Sequence, residues 1–201
     1  MKMTKTRWAA ILTVILLLIS AFAADISVFA RDCEELRGDV LRLHVIANSD
    51  SEEDQAVKLE VRDLLLNITK DRVGDAVDKA DAEAYFRENA DELAAAVNEL
   101  LRERGFGYGA AVSIARSEFE TREYDGFTLP SGEYDALKVV LGAGEGKNWW
   151  CVLFPPLCVS AADGSELPAR EYKLMRSGNE TGYKIKLKIV EWFRFLKNLF
   201  A

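Results

Sequence analysis

The spacing of apolar positions along this chain changes several times, and each change marks an element. Residues 8–24 (WAAILTVILLLISAFAA) run without a charge behind Lys2, Lys5 and Arg7. A positive flank before an uncharged core is the layout of an export signal. At 17 residues the run also sits at the lower limit for a bilayer-spanning helix, so residues 1–24 read as a signal peptide or an N-terminal anchor. Two small-x-small sites, Ala21-Phe22-Ala23 and Val28-Phe29-Ala30, place cleavage near residues 23 to 30.

A charged joint at residues 25–39 leads into Val40, Leu41, Leu43, Val45 and Ile46, a short β-rich run closed by Asn48, Ser49 and Asp50. Ser51 with Asp54, or Ser49 with Glu52, supplies a helix start, and Val57, Val61, Leu64, Leu65 and Ile68 carry the helix over residues 52–70. Ala82, Phe86, Ala90, Leu93, Val97, Leu100 and Leu101 recur at three- and four-residue spacing and predict a second helix that stops before Gly105 and Gly107. Beyond Gly109 the period falls to two. AAVSIARSEF, YDALKVVLG and NWWCVLF read as strands bounded by Gly, Pro and Asn, in a sheet of three to five strands.

One strand, two helices and then consecutive strands predict an α/β (α+β) fold with helices packed on one face of a mixed or antiparallel sheet. A single globular domain then covers residues 40–158, followed by a polar linker at 159–182. The tail at 183–201 (YKIKLKIVEWFRFLKNLFA) alternates lysine with Ile and Leu as a strand does, yet Ile189, Val190, Phe193, Leu196 and Phe200 form a helical stripe. A helix is preferred, because Trp192, Phe195 and Leu199 then join one broad apolar face. With Lys184, Lys186, Lys188, Arg194 and Lys197 against Glu191, the tail carries a local charge of +4. Such a segment suits an anionic membrane surface, a partner's groove or the protein's own core.

Composition adds that 49% of residues are apolar, enough for a packed core. Loss of residues 1–24 moves the formal charge from −7 to −10, because Lys2, Lys5 and Arg7 leave without an acid. An acidic body argues against nucleic acid as a partner.

Candidate chemistry is sparse. His44 is the one histidine, with no second to complete a metal cluster or a nucleophile triad, and reads as a structural residue of the first strand. GAGEGKN at 142–148 has Leu141 where a phosphate loop needs glycine and Asn148 where it needs Ser or Thr, so it reads as a glycine-rich hairpin between two strands. The acids of SDSEEDQ, Asp50, Glu52, Glu53 and Asp54, lack calcium-loop spacing and suit a helix N-terminus. Glu133, Asp135 and Asp125 are the remaining candidates for a carboxylate pair. These observations assign no catalytic residue, metal ligand or cofactor. They leave an extracytoplasmic binding module against an extracytoplasmic hydrolase of the cell envelope. Cys151 and Cys158 flank Pro155-Pro156 and form the natural disulfide pair in an exported chain, with two buried free thiols as the alternative and Cys33 left over in either case. Trp149 and Trp150, adjacent on a strand, face opposite sides of the sheet.

LRLHVIANSDSEEDQAVKLEVRD at 41–63 and SGEYDALKVVLGAGEGKNWWCVLFPPLC at 131–158 together resemble the stage II sporulation protein R family. The resemblance implies a signalling protein made in the forespore and secreted into the space between the two sporulation membranes. There it triggers a membrane-embedded aspartic protease, stage II sporulation protein GA, which matures the precursor of a mother-cell sigma factor. The family brings no catalytic residues. Its two strings supply candidate partner contacts: Asn48, Ser49 and Asp50 at the strand-to-helix corner, and Trp149 and Trp150. Non-reducing peptide mapping should recover Cys151 linked to Cys158, and loss of so short a loop closure should weaken folding by about 2 to 3 kcal/mol without abolishing it. Full alkylation of both thiols in native protein overturns the pairing.

Overall fold

The computed structural model describes residues 5–124, 127–156 and 181–199. In chain order they form α1 (Lys5–Asp39), β1 (Leu41–Ile46), α2 (Glu52–Asp75), α3 (Lys79–Glu88), α4 (Ala90–Glu103), β2 (Ala110–Phe119), β3 (Arg122–Tyr124), β4 (Phe127–Leu129), β5 (Gly132–Leu141), β6 (Asn148–Phe154) and α5 (Thr181–Leu199).

The sheet is mixed and four-stranded, in the order β2-β5-β1-β6, and β3 and β4 pair separately. β1 runs parallel to β5, with Leu43 opposite Leu137, and antiparallel to β6, with His44 opposite Trp150. β2 is antiparallel to β5 over its full length. β1 is therefore an interior strand, and its side chains are claimed alternately by two cores, as a two-residue period requires. Leu41, Leu43 and Val45 point to one face with Leu137, Val139, Leu141, Cys151 and Leu153, where they meet Val57, Val61 and Leu65 of α2, Phe86 of α3 and Val97 and Leu101 of α4. Arg42 and His44 point to the other face. There Phe119, Tyr134, Ala136, Val152 and Trp150 are covered by Leu36 of α1, Val40, Tyr124 of β3 and Leu129 of β4.

Local signals account for the helix ends. Ser51 caps α2 by accepting from Asp54 N at 3.2 Å, Asp78 caps α3 by accepting from Asp81 N at 2.9 Å, and Gly105 at φ +81° closes α4. Four expectations are corrected. The charged joint at 25–39 is the continuation of α1, which runs unbroken to Asp39 because Cys33 and Leu36 are buried against the domain. The single helix expected through Ala82 and Leu101 is two, broken at Asn89, whose backbone N–H and side-chain Nδ2 both donate to Tyr85 O. The segment 142–148 is not a hairpin, because β1 lies between the strands it joins. α2 extends to Asp75, five residues past the expected end. The linker lies almost wholly outside the described residues, as does Cys158.

α5 packs on α1 and the β3–β4 pair. Tyr183 OH donates to Thr128 O at 3.4 Å and meets Phe29 edge-on at 5.1 Å, Leu187 is buried, and Arg194 pairs with Glu118 at 2.5 Å. Trp192, Phe193, Phe195 and Leu199 stay exposed. Leu137 sits fully buried at the middle of β5 between β1 and β2. Leu137→Ala should cost about 2 to 5 kcal/mol, read as a lowered midpoint in denaturant unfolding with little change in slope.

Candidate functional site

Because β1 separates β5 from β6, the chain leaving β5 at Leu141 must cross over the end of β1 before it enters β6 at Asn148. β1 itself leaves beneath that crossing through Ala47, Asn48, Ser49 and Asp50. The two segments are laced together. Gly146 N donates to Ala47 O at 2.9 Å, Glu145 N to Asn48 O at 3.1 Å, Ala143 N to Asn48 Oδ1 at 2.9 Å and Lys147 N to Asp50 Oδ1 at 2.8 Å. Lys58 Nζ reaches back from α2 to Lys147 O at 3.1 Å. The approach is close enough that a Cβ on Gly146 would stand 2.1 Å from Ser49 O, and the turn into the crossing puts Gly144 at φ +67°. Those demands explain the glycines without a phosphate ligand.

Asp54 anchors the lower segment. Its carboxylate accepts from Asn48 Nδ2 at 2.8 Å, from Ser49 Oγ at 2.5 Å and from Tyr108 OH. Burial pushes this carboxyl upward, but the donors Ser49, Tyr108, Asn48 and Ser51 outweigh it and hold the group below the ordinary aspartate value. Gln55 Nε2 adds a bond to Ser49 O at 2.9 Å. Of the proposed contacts, Asn48 and Ser49 thus have their side chains engaged inside the corner, and Asp50 is exposed with one carboxylate oxygen on Lys147 N.

Trp149 and Trp150 do lie on opposite faces, both half-buried. Trp149 packs at the edge of the helix-side core with the Arg62 guanidinium 4.3 Å from its ring centroid. Trp150 lies on the other face, 5.9 Å from His44, with the Arg122 guanidinium at 4.7 Å. The five expected contacts therefore do not form one patch. What the crossing presents outward is Asp50, Ala143, Glu145, Lys147 and Asn148, all exposed.

His44 is buried, its Nε2 2.9 Å from Asn148 Oδ1 and its ring against Phe119 and Trp150. Burial lowers its pKa, so the imidazole is neutral at physiological pH. Asp135 is engaged by Lys79, with Arg116 at 3.7 Å, Glu133 lies 3.9 Å from Arg116, and Asp125 falls outside the described residues. Among the described residues no group of His, Cys, Asp or Glu is arranged to hold a metal ion.

Sequence reasoning missed Arg42. It is fully buried with its guanidinium 4.1 Å from the Phe119 centroid and 5.1 Å from that of Tyr134, and Nη2 donates to Tyr124 OH at 2.6 Å. A charged residue alternating with Leu41 and Leu43 carries no local signal of burial, and the covering β3–β4 pair makes this position an interior one. Cys33 is a free buried thiol whose pKa burial pushes up to about 11.

A family model described as stage II sporulation protein R matches residues 37–164. Stage II sporulation protein R of Bacillus subtilis (strain 168) is 35% identical over 134 residues, which covers 66% of this chain and 60% of that relative. The alignment therefore spans less than two thirds of the relative's length. No solved structure matches the chain. The matched segment contains β1 through β6 and the whole crossing, whereas α5 lies beyond it.

The carboxylate of Asp54 gives this corner a pH signature. Its depressed pKa contributes stability that is fully present above the unfolded aspartate value of about 3.9 and is lost as pH falls through the folded value. Asp54→Asn should lower stability at neutral pH by about 2 kcal/mol, since three donors lose their charged acceptor. In thermal melts the gap to the unmodified protein should narrow below about pH 4. A gap independent of pH refutes the assignment.

Proposed function

The chain belongs to the stage II sporulation protein R family and is a sporulation protein, and from that premise we propose that it is an exported signal that works by binding. In this reading α1 carries the chain out of the forespore into the space between the two sporulation membranes. The domain there switches on a membrane-embedded aspartic protease, stage II sporulation protein GA, which matures the precursor of a mother-cell sigma factor. α1 is long and apolar enough to enter a membrane, and its first portion is exposed along its whole length.

The observation that carries the binding mechanism is how the candidate reactive groups are held. His44 is walled in by aromatic rings and Asn148, and Asp54 is taken up by its donors. Both serve the fold. The exposed product of that construction is a rigid loop surface at 142–148 with Asp50 beside it, and a rigid surface loses little entropy on docking. An agonist of this kind acts only by favouring the active state of its target. The Cys151–Cys158 disulfide is part of the same proposal, since it would tether the chain directly after β6.

α5 supplies a second contact, with the lipid. Its inner edge is fixed by Tyr183, Leu187 and Arg194, and Ile185, Trp192, Phe195 and Leu199 are exposed among the described residues. Lys184 and Lys188 flank that stripe, and the helix lies against α1 where the uncharged run ends at Asp25. An exposed aromatic stripe with lysines, in an otherwise acidic protein, fits the interface of an anionic leaflet.

Two measurements check these readings. Purified exported protein, added to the reconstituted protease and its sigma-factor precursor, should promote maturation. Charge reversal at Glu145 or Lys147 should reduce it by about tenfold or more without shifting the melting temperature, as loss of a binding anchor does. Survival of activity in those variants and in Trp149→Phe and Trp150→Phe, with its loss in a folded His44→Gln protein, favours an enzyme instead. For α5, Trp192→Ala with Phe195→Ala should abolish most co-sedimentation with phosphatidylglycerol vesicles, and equal partitioning would return the helix to a purely structural role.

A further inference from the structure

The fold distinguishes between the two processing sites that α1 contains. Every residue of α1 from 6 to 24 is exposed. The built part begins immediately after. Asp25 pairs with Lys186 at 2.8 Å, Ile26 is 8% exposed, and Phe29 meets Tyr183 edge-on at 5.1 Å with Lys186 Nζ 5.8 Å from its ring centroid. The contacts with α5 begin at Asp25, itself exposed and two residues beyond the Ala21-Phe22-Ala23 site.

We propose that the exported chain is cut at the Ala23–Ala24 peptide bond, leaving residues 24–39 as the first helix of the mature domain. This rests on the export reading above. A membrane signal peptidase hydrolyses the bond, water giving its hydroxyl to the Ala23 carbonyl carbon and a proton to the departing Ala24 nitrogen. Three features favour this junction over Val28-Phe29-Ala30. Ala23 closes the uncharged run, so the bond emerges at the membrane face, whereas Ala30 lies beyond the charge of Asp25. The cut leaves Asp25 in the first turn of the shortened helix, where a carboxylate complements the helix dipole and the new Ala24 ammonium. A cut after Ala30 instead places Arg31 at that terminus and strips away the buried Ile26 together with Asp25 and Phe29, which seat α5 on α1. The small residues Ala21, Ala23 and Ala24 at the boundary have no packing role, since all three are exposed.

The test is to produce the full chain in a sporulating host, recover what lies outside the cytoplasm, and determine its N-terminus by intact mass and terminal sequencing. The expected start is Ala24. Ala23→Arg should leave the chain uncut and in the membrane fraction, with release lost, while Ala30→Arg should be cut as the unmodified chain is. An exported chain that starts at Arg31, or that keeps Met1, overturns the junction and leaves export standing. Absence of any chain outside the cytoplasm overturns export and the junction with it.

Discussion

The placement of β1 between β5 and β6 is the constraint from which the rest of this structure follows. A strand inserted between two others that are close in sequence forces their connection to cross its end. The crossing must then satisfy its own amide groups at short range, because among the described residues no further strand continues there. It does so on the chain leaving β1, through Ala47 O, Asn48 O, Asn48 Oδ1 and Asp50 Oδ1. Glycine at 146 is the steric condition for that closeness, and Asp54 beneath is the electrostatic one. The two most distinctive strings of the sequence, one before α2 and one after β5, are thus the two halves of a single joint.

An interior β1 also has two buried faces. Its helix-side residues are ordinary aliphatics, but Arg42 and His44 occupy the other side and need cover of a particular kind. Aromatic rings supply it: Phe119, Tyr134 and Trp150 from the sheet, with the Tyr124 hydroxyl accepting from the guanidinium. Burying a cation is costly, and stacking on ring faces with one strong hydrogen bond offsets part of that cost. The β3–β4 pair and the end of α1 close this face, and α5 in turn rests on them. α1 and α5 meet there, on one side of the molecule.

That arrangement bears on mechanism. In a hydrolase, acids and bases with shifted affinities converge on an open cleft. Here two of the shifted groups, Asp54 and His44, hold the crossing and line the aromatic face. The surface beside them is a loop whose backbone is fixed from below.

Much of the architecture was legible because it depends on local rules. The uncharged run behind three cations, the Ser51 cap, the glycine stop after α4, the alternating strands and the opposite facing of Trp149 and Trp150 all follow from periods and end preferences within a few residues. The site was less legible. Asn48 and Ser49 read as a surface corner, but the carboxylate that occupies them lies inside only because the crossing and Tyr108 close over it. Nothing in residues 142–148 says whether the strands they join are neighbours, since strand order is settled by backbone hydrogen bonds between segments far apart in sequence. Asn89 breaks a helix that its apolar spacing would continue, and Arg42 looks exposed until β3 and β4 fold across it. The sequence by itself determined the elements and the faces of their side chains. The tertiary structure decided which of those faces meet, because burial belongs to the pair of surfaces in contact and not to either segment alone.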